Sequence, residues 1–263
     1  MAGRFLRIFK PLSRFVPEVS SPERSVGFNE KLFWTAIALV LYLIMSEMPL
    51  YGVTAGESPE LAPLRVIFAS TRGTLMELGI GPIVTAGLIL QLLAGSGMIA
   101  FNASDPDDRT LFTCASKVFS IVMTGVQASA YLIGGVYQNV NPVQAIIIFM
   151  ELIAAGLVLI LLDEMIQKGW GIGSGISLFI LAGVAQRIVW DSLLPYGPFP
   201  DGKYYGALVA FTQTLIGRQS PLTGFVVRIN SETGEALANL PTMLGFVATI
   251  IVFIVVIYAE GVR

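Results

Sequence analysis

Long apolar runs, separated by polar or glycine-rich breaks, dominate the chain. Five are long enough to cross a bilayer: residues 32–50 (LFWTAIALVLYLIMSEMPL), 118–137, 143–162, 172–190 and 240–258. About 20 apolar residues at ~1.5 Å rise each cover ~30 Å of hydrocarbon. A sixth run, 79–99 (GIGPIVTAGLILQLLAGSGMI), is equally apolar but carries five Gly and one Pro. It predicts a helix with a weak, interrupted start, packed inside protein. Backbone N–H and C=O groups in lipid must be bonded internally, so all six runs are expected to be helices. The expected fold is an all-α polytopic membrane protein with six transmembrane helices.

Two connections depart from ordinary loops. In 51–78, the part LAPLRVIFASTRGTLMEL is too apolar for a solvated loop, yet Arg65 and Arg72 interrupt it. A short re-entrant helix, buried in protein, reconciles the two facts. The other connection, 191–239, holds Pro195, Pro198, Pro200 and Pro221, an amphipathic stretch YYGALVAFTQTLIG and a hairpin-like FVVRINSETGEALANL. Structureless loops of that length are rare in compact domains, so a small extracytoplasmic subdomain is expected there.

Composition removes several function classes. The 263 residues are 54% hydrophobic and 13% charged, against about 25% charged in a soluble domain. Mean hydropathy is +0.75. The net charge of −2 supplies no basic field for direct nucleic-acid binding. There is no histidine, which excludes His-ligated metal sites, Ser-His-Asp and Cys-His catalysis and zinc-protease motifs. Cys114 is the single cysteine, so an internal disulfide is excluded and the redox compartment stays open.

Lys and Arg near the span ends orient the chain. With a cytoplasmic N-terminus, ten lie inside (Arg4, Arg7, Lys10, Arg14, Arg24, Lys31, Arg109, Lys117, Lys168, Arg263) and six outside (Arg65, Arg72, Arg187, Lys203, Arg218, Arg228). That choice is the expected topology. No cleavable signal peptide is expected, because the first apolar run starts 31 residues in and is full-length. The leader GRFLRIFKPLSRFV alternates basic and apolar faces. It suits a basic amphipathic helix on the inner leaflet, or equally an ordinary topogenic charge cluster.

Ionisable residues inside a membrane are functional candidates by default. Glu47 lies near the outer end of the first span and Glu151 inside the fourth. Glu151 could serve a proton or ion relay, although a hydrogen bond to a neighbouring helix or subunit is the plainer role. Asp163 and Glu164, followed by Lys168, read as a solvated helix end. The string GWGIGSGIS (169–177) lacks the Lys-Ser/Thr of a phosphate loop and any His for a serine elbow. Its glycines suit a tight turn into the fifth helix and close approach by another backbone. The sequon Asn102-Ala103-Ser104 faces the cytoplasm on this topology. Ile80 and Val84, four apart, share a helix face, as do Ile176 and Ile180. A conduit lined by such aliphatics selects no ion and tends to dewet, which suits a pliable seal.

With these motifs the chain resembles the SecY family, the protein-conducting channel subunit of the Sec translocon. The resemblance rests on PEVSSPER, FNEKLFWT, ASTRGTLMELGIGPIVTAGLILQLLAGSG, DRTLFTCASK, LLDEMIQKGWGIGSGISLFI and TIIVFIVVIYAEGVR, in family order. GIGPIVTAG and YAEGVR look archaeal. The resemblance implies the first inverted repeat of that fold and the first helix of the second. Its divisions would be a basic leader (1–31), a five-helix half (32–190) with a plug at about 61–76, an extracytoplasmic loop (191–239) and a sixth helix (240–263). It implies no enzyme and no cofactor, but a gated pore for secretory polypeptides that also opens sideways into lipid.

The family places half of its pore ring at Ile80, Val84, Ile176 and Ile180. Its plug falls on Leu61, Leu64, Val66, Ile67, Ala69, Ser70 and Thr74, and its lateral gate on Thr85 and Gln91. Implied partners are SecE-type and beta/SecG-type subunits, the ribosome, signal sequences, nascent chains and the bilayer. The implied location is the plasma membrane, or the endoplasmic reticulum in a eukaryote. A Gln is usual in the family where Glu151 stands. The chain stops after its sixth helix, so either a longer protein or a second polypeptide is expected to complete the channel, and this part alone is not expected to conduct. The alternative class is half of a secondary transporter with a broken-helix solute site. An intramembrane protease ranks third, lacking both His and paired intrahelical Asp.

Overall fold

The computed structural model describes residues 17–53, 71, 73–99, 105–137, 141–197, 201–216, 225–229 and 240–261. Their named secondary-structure elements are helices, and an isolated antiparallel bridge joins Pro49 to Thr74. The helices are α1 (Phe28–Glu47), α2 (Gly81–Gly95), α3 (Pro106–Ile133), α4 (Pro142–Met165), α5 (Gly175–Leu193), α6 (Ala207–Ile216) and α7 (Met243–Gly261). A π-helical turn, Ile166–Trp170, continues α4. Among the described residues, α1, α3, α4 with its turn, α5 and α7 are long and apolar enough to span a membrane. The glycine-rich sixth run yields only the 15-residue α2.

Local chemistry sets these boundaries. Asn141 caps α4 in a reciprocal box with Gln144, and Pro142 occupies the first turn, where its missing N–H costs nothing. Pro49 follows the end of α1 and restricts Met48 to extended geometry. Helix α3 starts well before the apolar run that announced it, because DRTLFTCASK is already helical. Hydroxyls within the helices bond their own backbone one turn earlier: Thr85 to Gly81 O (2.7 Å), Thr124 to Ser120 O (2.8 Å), Thr249 to Gly245 O (2.9 Å). Such polar residues therefore reach membrane depth without an unmet donor.

The chain divides into two compact units, Met1–Gly183 and Val184–Arg263. In the first, α2 packs on α3 and α3 on α4. A Cβ on Gly156 of α4 would stand 2.7 Å from Thr124 Cγ2 of α3, so the missing side chain sets how closely these helices approach. Helix α1 buries one stripe, Thr35, Ala38, Tyr42 and Ser46, and Tyr42 stacks on Phe179 of α5 at 5.2 Å.

The second unit holds the rest of α5, then α6 and α7, with α6 against α7. The amphipathic stretch read in the long loop forms α6. Residues 217–224 and 230–239, including most of the hairpin-like string, lie outside the described residues. Arg228 is fully buried, and its fork donates to both oxygens of Asp201 (2.6 and 3.1 Å) and to Tyr205 O (2.8 Å).

Candidate functional site

The four aliphatics singled out in the sequence come together. Ile80 belongs to a buried cluster with Ala38, Tyr42, Met76, Leu159 and Phe179, and Val84, Ile176 and Ile180 pack against it, partly buried. Ile80 stands at the N-terminal boundary of α2, and Val84 N–H donates to Ile80 O at 3.1 Å. The two residues are thus one helical turn apart. Ile176 and Ile180 have the same relation on the first turns of α5. Thr85 is half-buried and Gln91 exposed. Of the residues assigned to the plug, Leu61, Leu64, Val66, Ile67, Ala69 and Ser70 lie outside the described residues.

Thr74 is described, and it corrects the re-entrant helix at its C-terminal end. Residues 73–76 form a turn and a bridge, not helix. Leu50 N–H donates to Gly73 O (2.8 Å) and Leu75 N–H to Met48 O (3.0 Å). Gly73 sits at φ +72°, a left-handed geometry that a side chain resists. Thus the chain leaving α1 and the chain returning to Ile80 are paired. Pattern reading missed Glu77 in this root: it is buried, and its carboxylate accepts Gly73 N–H. The signal available was a lone acid inside the apolar string TLMELGIG.

A second correction concerns Asp163 and Glu164, which are not a solvated end. They are only 8% and 7% exposed. Glu164 takes Lys117 of α3 at 2.5 Å and Lys168 at 2.9 Å. Asp163 Oδ1 accepts Ile176 N–H at 3.1 Å, so a carboxylate of α4 sits at the positive N-terminal end of α5. Gly175 makes the approach possible: a Cβ there would stand 2.7 Å from Asp163 Cα. The glycine-rich string therefore does bring two backbones together, and it places Ile176 and Ile180 relative to α4.

Residues 17–20 fasten to the same end. Lys168 Nζ bonds Glu18 at 2.6 Å and also Val19 O, and Trp170 Nε1 donates to Ser20 O at 2.8 Å. The Lys168 ammonium holds the Glu18 carboxyl below its ordinary value of 4.5. A depressed carboxylate stabilises the fold above that ordinary value and loses the contribution as pH falls through the lower folded value. Glu18 is well exposed, so the effect is small. Amide exchange over 17–20, corrected for its intrinsic rate, should quicken on acidification of the wild type. In Glu18→Gln it should be faster at neutral pH and lack that acid step.

Comparison with known proteins extends the picture. The family model described as SecY matches residues 74–263, and that described as the plug domain of Sec61p matches 40–73. The protein transport protein SEC61 subunit alpha of Yarrowia lipolytica is 41% identical over 271 residues, covering 100% of this chain and 56% of the relative. Sec61 in the canine ribosome-channel complex from the endoplasmic reticulum aligns with TM-score 0.75 and 38% identity, over 95% of this chain and 52% of that one. A SecY structure whose plug domain is described as stabilising the closed state and maintaining a membrane seal aligns with TM-score 0.70 and 38% identity, over 95% and 51%. The chain spans about half the length of the curated relatives it matches. Relatives from Yarrowia lipolytica, Wickerhamomyces anomalus and Neurospora crassa are eukaryotic, and the archaeal look of GIGPIVTAG and YAEGVR finds no support in them. With one family model matching 190 of its 263 residues and a second covering the stretch before, the chain belongs to the SecY family.

Proposed function

We propose that this chain supplies the N-terminal half of a channel subunit that moves secretory polypeptides across a membrane and releases membrane segments sideways into lipid. One observation carries the reading. Ile80, Val84, Ile176 and Ile180, from two helices that both start after glycine-rich turns, meet in one apolar cluster. Aliphatic side chains there would close around a passing chain of varied side chains and repel ions by dewetting. A solute transporter would need polar groups where these aliphatics meet, so that alternative is not favoured. Thr85 and Gln91, on α2, would belong to the lateral gate, and 61–76 to the plug.

The partners in this reading are SecE-type and beta/SecG-type subunits, a ribosome delivering nascent chains, signal sequences and the surrounding lipid. The canine relative was solved with a ribosome, which supports that assignment. The N-terminus would be cytoplasmic and, given eukaryotic relatives, the membrane that of the endoplasmic reticulum. Energy would come from the driving partner, with no hydrolysis by this chain.

The test is resting conductance. In the full-length channel with its partner subunits in lipid vesicles, Ile80→Gly with Val84→Gly should raise the ion leak of the idle channel well above wild type. An unchanged leak would remove these residues from the seal.

A further inference from the structure

Glu151 is embedded in α4, yet its Oε2 accepts the backbone N–H of Tyr51, 100 residues away, at 3.1 Å. Tyr51 directly follows the paired root. Leu50 before it is bonded to Gly73 and buried in a second apolar cluster with Leu78, Ile148 and Leu152. From Gly73 the chain is held turn by turn: Glu77 takes Gly73 N–H, Gly79 N–H reaches Met76 O (3.0 Å) and Gly81 N–H reaches Leu78 O (3.3 Å). Ile80 lies inside that last turn. Met76 and Ile80 enter the apolar cluster shared by α1, α4 and α5, while Leu78 between them enters the second cluster, shared by α3 and α4. The backbone into Ile80 is thereby gripped from two sides. Glu151 is the point where α4 holds the other strand of the root, through a carboxyl oxygen on a backbone N–H.

We propose that Glu151 is a positioning residue for the apolar constriction. It acts through Tyr51, pinning the root that sets where Ile80 stands. This rests on the reading of Ile80 as part of a seal. It gives Glu151 a mechanical role through Tyr51.

The experiment uses the full-length channel with its partner subunits in lipid vesicles and reads resting ion leak. Glu151→Ala should raise the leak about tenfold, the effect of one side-chain hydrogen bond on a two-state equilibrium. Tyr51→Pro deletes the same bond from the donor side and should act alike. The double variant should leak no more than either single one, as expected of two ends of one interaction. Glu151→Gln, which keeps an acceptor, should recover most of the seal. Ile80→Gly is the control. If it leaks while Glu151→Ala and Tyr51→Pro stay tight, the positioning role fails and the seal stands. If it stays tight as well, the seal reading itself has failed. Should the Ala and Pro variants not assemble, the wild type decides: the Tyr51 amide must exchange slowly, and free exchange overturns the proposal.

Discussion

Arg228→Ala is expected to unlock the second unit, at a cost of about 3–5 kcal/mol, the usual penalty for stranding one partner of a buried ion pair. Arg228 and Asp201 are 0% and 3% exposed in their side chains, so water does not soften the loss. The guanidinium bonds both carboxylate oxygens and the Tyr205 carbonyl at once. Removing it takes two donors from the buried Asp201 carboxyl and one from the Tyr205 carbonyl. Arg228→Lys should restore little, because an ammonium cannot span the fork. Asp201→Asn with Arg228→Gln, which removes both charges, should recover part of the loss. Amide exchange over 201–216 and protease cutting near 225–229 are the measurements. Protection equal to wild type in Arg228→Ala would show the pair to be dispensable.

Gly175→Ala is expected to pry α5 from α4. The added methyl would meet Asp163 Oδ1 at 2.6 Å and Asp163 Cα at 2.7 Å. The side-chain oxygen can rotate away, but the Cα belongs to a helix and cannot. Overpacking of this kind costs about 1–3 kcal/mol, and losing the Asp163 bond to Ile176 N–H would add to it. Helix α5 carries Ile176 and Ile180 within its first turns, so the displacement moves half of the proposed ring. The expected result is a lower melting temperature of the full channel together with a raised resting leak. Asp163→Ala should weaken the same joint without the clash, and Asp163→Asn should do so least. A melting temperature and leak equal to wild type in Gly175→Ala would mean that the joint relaxes at no cost.

Much of the architecture is legible in the residues because a membrane imposes a simple rule. The apolar stretch 143–162 lies within α4, and all of 240–258 but its first three residues lies within α7, since helices alone satisfy a backbone of that length there. Breaks are legible for the same reason. Pro82 and the glycines before it announce the short α2, and Asn141-Pro142-Val143-Gln144 announces the start of α4. The four ring candidates were legible as pairs, because a four-residue spacing guarantees a shared helix face.

What the pattern misjudged were charges. Asp163, Glu164 and Lys168 at a helix end look the same whether water or protein surrounds them. Here Lys117 arrives from α3 and the α5 N-terminus from beyond the turn, so the carboxylates are buried and paired. Glu77 escaped notice because the turn that aims Gly73 N–H at its carboxylate is held by the pairing of 48–50 with 73–75.

The order of apolar and broken segments determined which stretches become the long helices and which residues share a face, since those depend on contacts within a few residues. The tertiary structure decided which faces meet. Whether Ile80 stands against α5, whether Glu151 holds Tyr51 and whether Arg228 finds Asp201 depend on groups tens to a hundred residues apart. Local spacing carries no information about such distances, and only close packing brings those partners within bonding range.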